Sequence, residues 1–475
     1  MTDTLASRFI AIATEHPQKA ALRWTGGEIS FEGLLDLAKA AARHMQGRGV
    51  LPNSLVALDC NNWVTAYALM LGTALLGASW VEARPDLLSH GINVTHYLFT
   101  DPARAVTHPR AFAVDRSWQT LPKGAPTGFE ALEGPISVDS PWCIARSSGT
   151  TGTPKYMSIS YGLQLRRFET VWRFPSNSVA CAFPPLSLVG AGAPLALLLN
   201  GATIVIANTI EALQALGAHQ LVASPGQVDA MVREAGPVST KIPVLGSGGG
   251  MVTRRALEAW LEVFDCVNVG YGSSEASVVA ASIIRDAGSA DTSESMILPG
   301  VSVEIVDDAG QGLADGTPGL VRVKTPVMIS SYINNADLTE SHFRNGWFYP
   351  GDIGIISDGR IRIVGRASEQ FDVGGIKVNP VQVDEAARGI PGINAVMAFP
   401  EMGAGGVAHL ALLVHADTGQ NPKALAAAIR EATGRIRLSA LVPQAIYFVS
   451  ALPYNESGKL MRQQGEQAKG NAAAY

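Results

Sequence analysis

A chain of 475 residues, 47% hydrophobic and with a formal charge of −5, is long enough to bury one large core and a smaller one. The mild negative charge gives no basis for a nucleic-acid partner or an anionic membrane surface. Cys60, Cys143, Cys181 and Cys266 form no CxxC pair and read as small buried hydrophobes in a reducing compartment; Met1–Arg8 lacks the apolar segment of a secretory signal, so a cytoplasmic protein is expected.

The N-terminal part alternates strand and helix patterns. Ala20–Trp24 reads as a strand, Gly26-Gly27 as a turn and Ser30 as an N-cap, followed by Leu34, Ala38, Ala41, Ala42 and Met45 at helical spacing. Strand 55–58, an apolar helix over 64–76 and strand 78–81 come next. The uncharged stretch from Phe174 to Ile210 is broken by Gly190, Gly192, Pro194, Asn200 and Gly201, so it reads as a buried helix over 189–199, a glycine turn and a core strand. A membrane span, which needs about 20 predominantly apolar residues, is not expected. Short apolar runs at 204–207, 221–223 and 244–245 continue the alternation, which predicts parallel sheets covered on both faces.

After about residue 300 the pattern changes. Val301–Val306 and Gly319–Lys324 alternate around the turn Asp307–Gly310 and predict an antiparallel hairpin, with a further strand over 359–364. Beyond Arg366, strands at 395–398, 411–414 and 445–449 and helices at 381–388 and 422–433 suffice for a small α+β domain. The boundary is read at 366–368, giving a large domain over 1–365 and a small one over 366–475.

Between two α/β regions lies Ser147-Ser148-Gly149-Thr150-Thr151-Gly152-Thr153-Pro154-Lys155. Its glycines let backbone N–H groups converge on an anion, its hydroxyls add donors, and Lys155 adds a mobile positive charge. The combination suits the β- and γ-phosphates of a nucleotide. It is not a Walker-type loop, because Pro154 and Tyr156 flank the lysine. Four more segments follow in order: Val269-Gly-Tyr-Gly-Ser-Ser-Glu275, Gly346-Trp-Phe-Tyr-Pro-Gly-Asp352, Gly365-Arg366 with Val373–Pro380, and Tyr454-Asn-Glu-Ser-Gly-Lys459.

On these five segments the chain resembles the adenylate-forming superfamily: acyl- and aryl-CoA synthetases, adenylation domains of peptide synthetases and firefly-type luciferases. The resemblance runs from about Ile29 to Arg462. It implies an α/β fold with a large N-terminal domain of parallel α/β sheets, a small β-barrel-like subdomain and a small mobile α+β C-terminal domain. It also implies that Glu275 holds Mg²⁺, Ser274 donates to the α-phosphate, Tyr271 (with Gly272 beside it) stacks on adenine, and Asp352 and Arg366 hold the ribose hydroxyls. Lys459 would bridge the attacking carboxylate and the leaving phosphate. Thr150 joins Lys459 and Glu275 as catalytic.

The reaction so implied is carboxylate plus ATP giving acyl-AMP and pyrophosphate. A carboxylate is ionised at neutral pH, so the site needs charge neutralisation rather than a general base. The scattered histidines and the absence of a Ser-His-Asp or Cys-His arrangement agree with that. The second substrate would be a thiol, coenzyme A first and a carrier-protein phosphopantetheine arm next, with a luciferase-type oxygenase ranked below. The competing class is a non-catalytic nucleotide binder.

The acyl pocket is expected around Phe183, Ser187, Ser224, Gly248, Gly249 and Gly250. Several positions depart from the family pattern. Ser187 stands where many members carry His, Ser274 where Thr is usual, Pro350 where Thr or Ser is usual, Ser368 at the hinge, Asp372 for a frequent Lys and Leu320 for a frequent Glu. No Asp follows Pro184 to hold an α-amino group, so a simple carboxylic acid is expected as substrate rather than an α-amino acid.

Overall fold

A computed structural model describes residues 4–104, 107–120, 137–147, 154–170, 177–250, 252–288, 294–403, 406–435, 442–454 and 460–475. The chain divides into two compact units, Met1–Ser302 with Lys324–Phe348, and Val303–Val323 with Tyr349–Tyr475.

In the first unit the strands are β1 Ala20–Trp24, β2 Gly27–Ser30, β3 Leu55–Asp59, β4 Ser79–Glu82, β5 His96–Phe99, β6 Ala111–Ala113, β7 Pro141–Ser147, β8 Lys155–Ser160, β9 Ser178–Cys181, β10 Thr203–Ile206, β11 Gln220–Ala223, β12 Ile242–Gly248, β13 Phe264–Ser273, β14 Ser277–Ile284 and β15 Glu294–Ile297. One sheet runs β6-β5-β3-β4-β7-β8, parallel up to β7 and closed by antiparallel β8. The other runs β15-β14-β13-β12-β11-β9-β10-β1-β2, with a parallel centre and antiparallel strands at each end. The expected parallel sheets are therefore mixed. The predicted helices cover them: Phe31–Gln46, capped by the Ser30 hydroxyl on Gly33 N, packs with Trp63–Leu75 into a core holding Phe9, Phe31, Tyr67, Trp80 and Trp142.

The uncharged stretch folds as its glycines and proline dictate. Leu188–Leu198 is a buried helix, Gly201 turns at φ 78° and β10 follows; no helix among the described residues is long and apolar enough to cross a membrane. Pro194 lies inside that helix and has no N–H to give to the Gly190 carbonyl one turn back. The buried Tyr67 hydroxyl donates to that carbonyl instead, at 2.8 Å. Gly190 itself admits no side chain, because a Cβ would collide with the Pro184 carbonyl oxygen. Gly190→Ala is thus expected to displace the 183–187 segment and cost about 2–4 kcal/mol, within the range of strained core substitutions. A thermal midpoint unchanged from wild type would contradict this.

In the second unit, Asp352–Ser357 and Arg360–Arg366 form an antiparallel hairpin turned at Asp358-Gly359, and Gly319–Lys324 pairs with the first of them. Ser302–Val306 pairs with Gly319–Lys324, as the alternation predicts. Ile393–Met402, Ala408–Ala416 and Ala445–Phe448 form a three-stranded sheet with helices Pro380–Arg388 and Pro422–Gly434. Its core is Val378, Val383, Ile393, Val396, Leu412, Ile429 and Ile446.

Candidate active site

The candidate phosphate segment joins two paired strands. Ser147 ends β7, Lys155 begins β8, and the two are cross-strand partners. The residues that join them, Ser148, Gly149, Thr150, Thr151, Gly152 and Thr153, lie outside the described residues, as does Lys459. The Lys155 ammonium donates to His342 Nε2 at 3.1 Å and lies 5.2 Å from the centre of the Tyr332 ring. Tyr332 in turn donates its hydroxyl to Glu275 Oε1 at 2.9 Å. One tyrosine therefore joins Lys155 to the Glu275 carboxylate.

Glu275 lies in the turn between β13 and β14, where Ser277 has φ 64°. Gly272 is required there, since a Cβ would run into the Ser277 carbonyl oxygen. The turn is gripped from outside. Arg167, buried on the helix that follows β8, donates to Ser274 O at 3.1 Å, Glu275 O at 3.2 Å and Val327 O at 3.0 Å. Ile329 N donates to Glu275 O, and the Thr325 hydroxyl to Ala276 O. Burial pushes the Arg167 pKa down to about 10, which leaves the guanidinium charged at neutral pH. Burial, then the Glu275 charge, raises the Tyr332 phenol, so it remains a donor to the carboxylate.

Asp352 and Arg366 meet in the second unit. They are register partners in the hairpin, and Arg366 Nε lies 3.0 Å from Oδ1 of the buried Asp352. The segment that resumes after Lys459 is tied down in the same unit. Tyr454 bridges Leu460, Met461 N donates to Pro453 O, and Arg462 donates to Asp384 at 2.6 Å, Glu369 at 3.1 Å and Ala398 O at 3.0 Å.

The acyl-pocket candidates share one edge. β9, β11, β12 and β13 are adjacent and parallel, and Phe183, Ser224, Gly248, Gly249, Gly250 and Tyr271 fall at or just beyond their carboxyl ends, where α/β sheets take ligands. Two hydroxyls expected there have local work. Ser187 caps the Leu188–Leu198 helix, accepting from Gly190 N and donating to Pro184 O. Ser224 caps Pro225–Ala235 and donates to Gln227 Oε1. Neighbouring Ser247 has a buried hydroxyl without a partner.

Sequence reasoning passed over Arg167, Tyr332 and His342. An arginine in a polar helix reads as solvated, and the other two lie 57 and 187 positions from the residues they hold. Among the described residues no three His, Cys, Asp or Glu side chains group to hold a metal. A single buried carboxylate nevertheless fits Mg²⁺, which takes one or two carboxylates together with substrate phosphates and water.

The fold is that of known adenylate-forming enzymes. ATP-bound MatB from Rhodopseudomonas palustris superposes with a TM-score of 0.84 at 21% identity, over 98% of this chain and 99% of its own. The o-succinylbenzoate CoA synthetase MenE from Bacillus subtilis, solved with its acyl-adenylate intermediate, gives 0.82 at 19% identity over 97% of each chain. At those identities the likeness establishes the fold alone. In sequence, a fatty acid–[acyl-carrier-protein] ligase, MmaC of Mycobacterium marinum, is 25% identical over 97% of this chain and 96% of its own length. The AMP-binding enzyme family model matches residues 9–333. The chain belongs to the AMP-binding enzyme family.

Proposed function

We propose that this chain is an ATP-dependent, AMP-forming acid–thiol ligase whose acceptor is coenzyme A. The observation that carries the reading is Tyr332, whose hydroxyl holds the buried Glu275 carboxylate while its ring faces the Lys155 ammonium. A carboxylate that would hold Mg²⁺ and an ammonium that would meet phosphate are thereby set side by side, and a polyanionic substrate needs both. Ser147–Thr153 and Lys155 would cradle the β- and γ-phosphates, Ser274 the α-phosphate and Tyr271 the adenine. Asp352 and Arg366 would take the ribose hydroxyls. Glu275 would hold Mg²⁺, which would supply charge neutralisation at the phosphates.

In the first step a carboxylate oxygen bonds to the α-phosphorus, the α–β bridging P–O bond breaks, and pyrophosphate leaves with the electron pair. Lys459 neutralises charge on both sides of that transfer. In the second step the thiol loses its proton, sulfur bonds to the acyl carbon, and the C–O bond to AMP breaks. The boundary at 366–368 is where the part carrying Lys459 would turn between steps. A carrier-protein phosphopantetheine thiol is the second reading, favoured by the likeness to the acyl-carrier-protein ligase MmaC.

With Mg²⁺, ATP and a panel of aliphatic, aryl and amino acids, the enzyme is expected to catalyse acid-dependent exchange of labelled pyrophosphate into ATP without any thiol. No exchange with any acid would refute the ligase and leave a nucleotide binder. With the active acid in hand, coenzyme A and a phosphopantetheinylated carrier protein offered in parallel decide the acceptor.

A further inference from the structure

The geometry points to His342 as a positioning residue that fixes the phosphate-loop ammonium of Lys155 by accepting one of its N–H bonds. The inference rests on the reading of Lys155 as a phosphate ligand. The tautomer follows from the neighbours. His342 Nδ1 lies 3.1 Å from the Leu338 carbonyl oxygen, which can only accept, so Nδ1 carries the proton. Nε2 then presents its lone pair to Lys155, which can only donate. Ser341 Oγ at 2.9 Å from Nδ1, the Phe348 ring stacked alongside and the edge of Tyr332 hold the imidazole in place.

An ammonium has three N–H bonds. With one given to His342 and the cation over the Tyr332 ring, the position of the ammonium is constrained before the nucleotide arrives. The device works only while His342 is neutral. The charged or titratable groups around the imidazole are Lys155 on β8, Tyr332 and Glu275 behind it, and Arg344 just beyond it in sequence. Burial first and the Lys155 charge second hold its pKa below the usual imidazole value. The acceptor is therefore present above that lowered pKa and lost as pH falls through it.

The test is the Kd for Mg·ATP, measured by titration calorimetry, which needs no substrate acid. Lys155→Ala and His342→Ala are both expected to weaken binding, the latter by about 10–100-fold, the scale of one hydrogen bond to a charged group. His342→Gln, whose amide oxygen reaches as far as Nε2 and does not titrate, is expected to stay within about threefold of wild type. Between about pH 5 and 8, wild type should lose affinity on the acid side beyond the loss seen in His342→Gln, which carries only the titration of ATP itself. If Lys155→Ala weakens binding and His342→Ala does not, the positioning role is overturned while the phosphate role stands. If neither does, both are. Identical acid profiles for wild type and His342→Gln would also overturn it, and thermal midpoints show whether either variant has lost its fold.

Discussion

Alanine in place of Lys459 is expected to slow acyl-AMP formation by about 10²–10³-fold, the usual cost of removing a preorganised charge from a transition state. The attacking group and the leaving group are both anionic, and the proposed lysine neutralises the pair as they exchange places. The residues that follow it are rigidly held, with Arg462 bonded to two carboxylates and a carbonyl. Loss of one ammonium should therefore leave the fold intact. Transfer from supplied acyl-AMP to the thiol should change little. Single-turnover rates for the two steps settle it, and equal slowing of both would show that Lys459 acts structurally.

The second large effect is expected at Arg167. Arg167→Met fits the same volume but strips a charged donor from the carbonyls of Ser274, Glu275 and Val327. Glu275 O keeps the Ile329 N–H, so the carbonyls of Ser274 and Val327 are the ones that lose their donor; at about 1–3 kcal/mol each, a total of about 2–5 kcal/mol is expected after local relaxation. The same change frees the turn that presents Glu275, so the affinity for Mg·ATP should fall together with the thermal midpoint. A variant that melts like wild type would mean that the grip on the turn is unimportant.

Much of this was legible from residue order because local physics carried it. Helical spacing of Leu34, Ala38, Ala41, Ala42 and Met45 reports a buried face, and Phe31–Gln46 is a helix. The breakers Gly190, Pro194 and Gly201 told a buried helix and strand from a membrane span, and Leu188–Leu198 with Thr203–Ile206 fold that way. The antiparallel strands β8 and β14 were not anticipated, because an apolar run next to a glycine-rich turn carries no direction of pairing. Asp352 and Arg366 were each assigned to the ribose; that they face each other in one hairpin depends on register, which composition does not encode. Arg167, Tyr332 and His342 escaped for a different reason: their roles exist only through partners far along the chain.

The chain's route between its two compact units has a bearing on how the molecule is made. Residues Val303–Val323 belong to the second unit, and the first is finished only by Lys324–Phe348. Those returning residues supply Val327 O to Arg167, Ile329 N to the Glu275 carbonyl, the Tyr332 hydroxyl to its carboxylate and His342 to Lys155. On the ribosome, a nascent chain that has emerged as far as Ser302 holds Glu275 and Lys155 but none of these supports. The sheets of the first unit can pair as they emerge, whereas the contacts that hold Glu275 and Lys155 must wait for residues up to 348. These supports are thus completed late in synthesis, and a chain that ends at Ser302 lacks every group that holds Glu275 and Lys155 from the returning segment.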